Sequence, residues 1–499
     1  MKGNLVKIFG IVTVLTLLNQ TLTLVRASIM ATQFGVSNQM DAFNMANTLM
    51  VCLINVLGAS VATVFVPFLT QMQDNAEDRL IFNSYISVMS TVVGVILSGY
   101  LIVGNLYFKF SSSQSLFATM MFSISLVLAL GQYVRLLTSI ETAIFQTENR
   151  FGVIKVGAIL ATVSSLIALE LAHHYLTIRL AAAMITLSYW IEWGYLSTRK
   201  KAAKFHFKWH FAIHHRGVKE LLNLTGPVVL NSFIYQISLL IPTVIIRFFG
   251  TGFVSINSYA NQILNIMQTL ILTNILTMLY PELARTMQND RQAGQEKLIF
   301  FIILTNTIVI PITFGAIVVG PLLIQILFQR GNFTASATNA VWQFLCFGSL
   351  SLPLVVIREF IYRAFYSLQD TKTPVKNSLL TISLQMIYVI AGAKVFGIVA
   401  VMSAPLVAAG FSVSLGLWQI KRVLPQMDAH KLMIKHSLIS FLNGGIMMIV
   451  VKKCTGWLTL PPLLRLISLV IIGALLYGGL TLSCQGRYFW QYFREGKVE

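Results

Sequence analysis

The sequence predicts an all-α, polytopic membrane protein, and three observations carry that expectation. Of its 499 residues 56% are hydrophobic and only 11% charged, more apolar length than a water-facing globule of this size can bury. Apolar runs long enough to cross a bilayer, about 20 residues as a helix, recur almost from end to end. The basic residues behind the formal charge of +19 gather in alternate short loops between those runs. A nucleic-acid surface would collect them on one polar face, so no nucleic-acid partner is expected.

Fourteen spans follow, at 6–33, 41–70, 81–107, 115–146, 152–172, 177–197, 220–249, 254–284, 297–328, 338–367, 373–394, 396–420, 433–451 and 458–483. Only Lys2 and Lys7 precede the first apolar run, and no small-residue cleavage pattern follows it. A retained helix is therefore expected in place of a removed signal peptide. Loops on one side hold Arg150 and Lys155, then Arg199, Lys200, Lys201, Lys204, Lys208, Arg216 and Lys219, then Arg285, Arg291 and Lys297, then Lys421, Arg422, Lys431 and Lys435. The opposite loops hold few, such as Lys109, Arg330, Lys394, Lys452 and Lys453. The positive-inside rule puts both termini in the cytoplasm, which an even number of spans permits. Cys52, Cys346, Cys454 and Cys484 lie singly in apolar stretches and suggest neither a disulfide framework nor a metal site.

The chain also resembles itself. At an offset of about 214 residues Ala46-Asn47 matches Ala260-Asn261, and Val66-Pro67-Phe68-Leu69 matches Tyr280-Pro281-Glu282-Leu283. Phe34-Gly35 falls near Phe249-Gly250, and the segment 143–155 echoes 364–376 at an offset of 221. Chance similarity between apolar helices is the competing explanation, and the matching Asn, Pro and Gly positions favour a repeat. The organisation predicted is an N-lobe of six helices at 1–197, a basic cytoplasmic loop at 198–219, a C-lobe of six at 220–420, and a C-terminal pair at 421–499. Six being even, the halves form a parallel repeat about an axis along the membrane normal, and such lobes commonly enclose a substrate site.

Polar residues inside the spans point to that site. Thr16, Asn19, Thr23 and Arg26 recur every three or four residues in the first span and share one helix face. The second span carries Asp41, Asn44, Thr48 and Asn55, the seventh Asn231, Tyr235 and Ser238, and the eighth Asn257, Asn261, Asn265 and Gln268. These are the first two helices of each half. An arginine near mid-bilayer costs about 2.5–3.5 kcal/mol, so the four stripes are expected to face one another or water. Either they line a hydrated cavity in which Arg26 takes an anionic head group, or they make ordinary interhelical hydrogen bonds worth under about 1 kcal/mol a pair. Asp41 could pair with Arg26 or cap its own helix. Arg135, Glu141, Glu170, Glu192, Arg247 and the Arg358-Glu359-Arg363 group are read as snorkelling or locally paired charges. His206, His210 and His214, interleaved with Phe205, Phe207, Trp209 and Phe211, could hold a metal; a basic aromatic helix lying on the anionic leaflet is the better reading.

No phosphate-binding loop, H-E-x-x-H or nucleophile arrangement is present, and the loops are too short for an intramembrane transferase, so no enzyme and no cofactor are expected. Energy would come from an ion gradient, the membrane potential or a downhill substrate; the residues do not say whether Na+ or H+ couples. A monomer is expected.

Phe34-Gly35, Asp41-Ala42-Phe43, Phe65-Val66-Pro67, Tyr259-Ala260 and Leu279-Tyr-Pro-Glu-Leu-Ala-Arg285 resemble the MurJ (MviN) family of lipid II flippases, as do the longer motifs at 327–335 and 364–376. That family lies in the larger superfamily of multidrug extruders and polysaccharide-unit flippases. The resemblance covers most of the chain in order, the last two helices matching only in being apolar. It implies fourteen helices, a V-shaped pair of lobes, and alternating access that carries an undecaprenyl-pyrophosphate-linked precursor to the outer leaflet. It also implies a head-group cavity lined by helices 1, 2, 7 and 8, and a lipid-tail groove at the last two. The substrate-contacting set is then Arg26, Asn19, Thr23, Asp41, Asn44, Asn231, Asn261, Asn265 and Gln262, with Arg26 and Asp41 matching family positions. Gln20 and Gln262 stand where the family carries further cavity arginines, and 47–55 lacks an arginine pair. Another polyprenyl-linked polysaccharide unit is therefore the alternative cargo. A multidrug:cation antiporter, with Asp41 its only candidate cation site, or a membrane scaffold would be the other classes.

Overall fold

The computed structural model describes residues 2–73, 75–110, 116–199, 207–269, 274–424 and 429–495. Among them are helices and no strand. In hydrocarbon the backbone has no water to bond, so each spanning segment closes its own hydrogen bonds as a helix. The order is α1 (Lys2–Phe34), α2 (Asn38–Ser60), α3 (Val66–Gln71), α4 (Ala76–Phe110), α5 (Leu116–Thr147), α6 (Phe151–Leu171), α7 (Ile178–Thr198) and α8 (Arg216–Arg247). There follow α9 (Phe253–Gln268), α10 (Asn274–Asn289), α11 (Arg291–Phe328), α12 (Ala335–Ser367), α13 (Lys372–Phe396), α14 (Ile398–Val423), α15 (Ala429–Trp457) and α16 (Pro462–Glu495). Among the described residues, twelve helical segments are long and apolar enough to cross a membrane. The two other predicted spans fall on α7 and on the pair α9 and α10. At roughly 1.5 Å per residue α7 reaches about 31 Å. The chain is an all-α, multi-pass membrane protein.

The first compact unit spans Met1–Ser255. Within it α2 packs on α5 and α8, α5 on α7, and α6 on both α1 and α7. The unit includes α8, the first helix of the second sequence half, because α8 lies along α2 and α4. The packing boundary thus falls one helix later than the repeat boundary. Between α2 and α3, Val61–Phe65 is wound as a π-helix. Pro67 supplies the cause: it has no N–H for the Thr63 carbonyl and its ring crowds that carbonyl, opening the ladder one turn earlier. Phe65 is fully buried there and stacks with Phe68, Phe82 and Tyr85, ring centres 5.0–5.9 Å apart.

The second unit, Ile256–Glu499, is organised around α11, which contacts α10, α12, α15 and α16. Phe300, Phe301, Phe360 and Phe365 are buried in its larger core. A smaller core of Ile310, Phe314, Met447, Val451, Leu469 and Tyr477 seats α15 and α16 on α11. The outer side of α16 exposes Leu463, Leu464, Ile467, Val470, Ile471 and Leu475, a surface suited to lipid.

The repeat reappears in backbone geometry. Asn149 and Gln369 are the non-glycine residues with positive φ among the described residues, at 57° and 62°. Each closes a helix alike: Arg150 N donates to the Phe145 carbonyl and Asp370 N to the Phe365 carbonyl, both at 2.9 Å. This is the six-to-one bond of a Schellman cap. The turns correspond at an offset of 220, one residue less than the sequence match, which kept Ala143 on Ala364 and Lys155 on Lys376 and thereby displaced the turn. Asp370 then accepts from the N–H groups of Lys372 and Thr373, each at 3.0 Å, at the start of α13. Hydrogen bonds from Thr373 hold its carboxyl below the usual carboxylate range.

The basic connection before α8 corrects an expectation. Phe207–Ala212 is not helical, while Phe205 and His206 lie outside the described residues. Lys208 N donates to Asn83 Oδ1 at 2.8 Å, His210 N to Ser87 Oγ at 3.0 Å, and Ala212 N to Ser84 Oγ at 3.1 Å. Three side chains of α4 thus satisfy alternate backbone donors, which removes the need for a helix. The intervening Phe207, Trp209, Phe211 and Ile213 stand exposed, with neighbouring rings 5.2 and 6.1 Å apart. At about 1 kcal/mol per bond, Ser84→Ala with Ser87→Ala should raise the undocked population about 30-fold. Chymotryptic cleavage at Phe207–Phe211 of the detergent-solubilised protein should accelerate accordingly; parental cleavage rates would rule out the docked strap.

Candidate functional site

Asp41 occupies the most tightly organised polar position of the first unit. Its side chain is fully buried, and it caps neither its own helix nor pairs with Arg26 as expected. Ser37 Oγ accepts from Met40 N at 3.2 Å and serves the start of α2. The Asp41 carboxylate instead accepts from Gly252 N at 2.5 Å, Ser255 N at 2.8 Å and Ser255 Oγ at 2.6 Å, at the start of α9. A helix start leaves N–H groups without intrahelical partners and carries partial positive charge, so a carboxylate there is favourable. Asn44, also buried, donates to Ser255 Oγ at 3.5 Å. Gly252 has φ of +92°, and a Cβ added there would meet Val36 Cγ1 at 2.3 Å, so the close approach requires glycine. Beside this junction Arg247, ending α8, donates to Asn38 Oδ1 at 2.9 Å and lies 4.2 Å from the Phe117 ring centre. Asp41 is a structural acceptor in this geometry, and Asn44 supports it.

The stripe on α1 faces α6. Thr162 Oγ1 donates to Asn19 Oδ1 at 2.8 Å, Arg26 Nη1 donates to Ser165 Oγ at 3.4 Å, and Thr23 Oγ1 returns to the Asn19 carbonyl at 2.9 Å. Arg26 is half-buried and makes this one long bond among the described residues, so most of its five N–H donors remain for an anion. The stripes of α2 and α8 do meet: Asn55, Asn231, Ser232, Tyr235 and Gln236 line a cavity of about 360 Å³. Ser232 and Gln236 went unnoticed in the sequence, although both sit one position from the expected stripe.

A second polar cavity, about 250 Å³, is lined by Gly58, Arg135, Thr138, Ser139, Thr142, Ala143, Gln146 and Glu192. Arg135 and Glu192, set aside as local charges, are thereby brought into one chamber, with Arg135 5.1 Å from the Tyr189 ring centre. In the second unit, Asn261 and Asn265 stand exposed on α9, and Asn261 Nδ2 donates to Asn257 Oδ1 at 3.1 Å. Gln262 Oε1 is buried without a hydrogen-bond partner among the described residues.

These features define a multi-pass helical membrane protein whose internal polar faces carry amides, hydroxyls, arginines and, at Asp41 and Glu192, carboxylates. The profile of the family described as "Lipid II flippase MurJ" matches residues 30–467, and the chain belongs to that family. Among relatives, the lipid II flippase MurJ of Burkholderia cenocepacia is 24% identical over 381 residues, 73% of each chain. The probable lipid II flippase MurJ of Haemophilus influenzae is 24% identical over 355 residues, 67% of this chain and 69% of that one. That of Rickettsia prowazekii is 26% identical over 249 residues, so the match spans about half of either chain, 49%. The solved structure of a lipid II flippase MurJ in an inward closed conformation shares the fold, with a TM-score of 0.80 and 20% identity over 96% of this chain and 99% of that one. An inward-facing multidrug resistance MATE family transporter of the MOP superfamily is more distant, at TM-score 0.63 and 12% identity over 81% and 96% of the two chains.

Asp41→Ala should destabilise the protein by about 2–4 kcal/mol, because buried N–H groups at the α9 start lose a charged acceptor. Asp41→Asn, which keeps one acceptor oxygen, should lose less. Thermal unfolding in detergent orders the two variants; an unfolding temperature for Asp41→Ala equal to the parent's would remove the capping role.

Proposed function

We propose that this chain carries the undecaprenyl-pyrophosphate-linked peptidoglycan precursor, lipid II, from the cytoplasmic to the outer leaflet by alternating access. The observation that carries the reading is Arg26, a cation within a span whose neighbours on α6 are hydroxyls and not carboxylates. A guanidinium so placed favours an anion, and pyrophosphate offers it paired oxygens. Asn231, Tyr235 and Gln236, which line the α2–α8 cavity, suit sugar and peptide hydrogen bonding. In this reading the basic loops put both termini in the cytoplasm, and the aromatic strap at 207–213 rests on the anionic inner leaflet. The protein works as a transporter without a cofactor, drawing on a gradient or the membrane potential, and as a monomer.

A different polyprenyl-linked glycan is the second reading. Gln20 and Gln262 in place of arginines favour it, since fewer cations hold a pyrophosphate less strongly. Purified protein in vesicles, supplied separately with labelled lipid II and an unrelated polyprenyl-linked glycan, decides between them by the leaflet transfer of each. Arg26→Ala should slow transfer at least about tenfold, the loss expected of a charge-assisted hydrogen bond, while leaving insertion and unfolding temperature unchanged. Parental transfer by that variant would sink the role of Arg26.

A further inference from the structure

A larger cavity, about 820 Å³, lies wholly within the second unit, where the end of α11 and the start of α12 meet the end of α15 and the start of α16. Its walls separate by polarity. Val318, Leu322, Met448 and Leu469 supply an apolar side, while Gln325, Asn339, Lys452 and Arg465 supply a polar one. The other polar lining groups are already engaged: Trp342 Nε1 donates to the Ile317 carbonyl at 2.8 Å, and Thr338 Oγ1 to Gln329 Oε1 at 2.9 Å. Arg465 donates through Nη2 to the Thr455 carbonyl, but its Nε is buried with no hydrogen-bond partner. A buried charged donor left unmade is costly, and a ligand acceptor would remove that cost.

No protein carboxylate can serve as that acceptor. The sequence holds no Asp or Glu between Glu296 and Glu359, nor between Asp428 and Glu495, and the cavity lining drawn from these segments carries two cations and no anion. The volume is within the range of about 300–1,000 Å³ typical of small-molecule sites and exceeds what an inorganic anion needs. Beside it, Ile446, Ile449, Leu463 and Ile467 are exposed along α15 and α16, an apolar flank a lipid chain can follow.

We infer that this cavity binds the phosphate of a lipid, with Arg465 and Lys452 on the phosphate oxygens and the apolar wall on the first part of the chain. The site is separate from Arg26, which lies in the other unit. Its placement in the outer leaflet rests on the proposed topology, whereas binding itself does not. Two sources share the chemistry: a bulk anionic phospholipid, and a polyprenyl phosphate of the cargo type.

The test uses the full-length protein in detergent, titrated separately with undecaprenyl phosphate, phosphatidylglycerol, phosphatidylcholine and inorganic phosphate, with bound lipid counted by native mass spectrometry. Lys452→Gln and Arg465→Gln, and the two together, should each weaken phosphate-lipid binding, the double variant at least tenfold, with phosphatidylcholine unaffected. Tight binding of undecaprenyl phosphate alone, or of both phosphate lipids, supports the site and identifies its source. Parental binding by the double variant overturns it, as does inorganic phosphate competing as well as the lipids. Arg465 also holds Thr455, so the unfolding temperature is followed; Lys452→Gln, whose side chain is exposed, keeps the test valid if Arg465→Gln unfolds. Leaflet transfer is not read, so failure here leaves the flippase reading standing, and failure of transfer leaves this one standing.

Discussion

The buried carboxylate of Asp41 at the start of α9 is the interaction on which the arrangement of the first unit depends. A helix that begins away from water leaves several N–H groups unmatched, and at the start of α9 two of them are met by the Asp41 carboxylate. The acceptor comes from α2 and forces Gly252 so close to Val36 that no Cβ fits. The Arg247–Asn38 bond then fixes the end of α8 against the start of α2. With both ends of the short connection after α8 tied to one turn of α2, α8 is held along α2. That is what lets Asn55, Asn231 and Tyr235 share a cavity.

Elsewhere the same requirement is met more cheaply. Thr16, Thr23, Thr48 and Thr91 each return their hydroxyls to a carbonyl one turn earlier, which satisfies a polar hydrogen inside a membrane helix without a partner helix. Guanidinium groups cannot be hidden that way. Arg135 and Arg247 lie against aromatic rings, while Arg26 and Arg465 retain donors beyond their few protein bonds. The division separates cations that complete the protein from cations that await something else.

Much of the fold was legible because bilayer physics writes itself into composition. Apolar length gave the spans, although the second, read as one run over 41–70, is interrupted by the π-helical turn before α3. The repeat was visible too, but identity dragged it one residue past the turn that Asn149 and Gln369 share. The α1 stripe was found, and its partner α6 was not, since Thr162 and Ser165 look like ordinary span residues. Asp41 stood out as charged, yet its role was invisible because its acceptor atoms serve residues 211 and 214 positions away. The lack of carboxylates around Lys452 and Arg465 could be read directly; the chamber joining them could not.

The strap at 207–213 has a consequence for what its residues are free to become. Helix α4 reads only main-chain N–H groups, which every residue but proline carries, so the attachment is indifferent to the identities of Lys208, His210 and Ala212. The outward row of rings is constrained by spacing alone. Attachment and outer surface are therefore separable: the latch lies in the serines and asparagine of α4, and the exposed face can be rewritten residue by residue without loosening it. A proline at 208, 210 or 212 is the substitution this division does not tolerate.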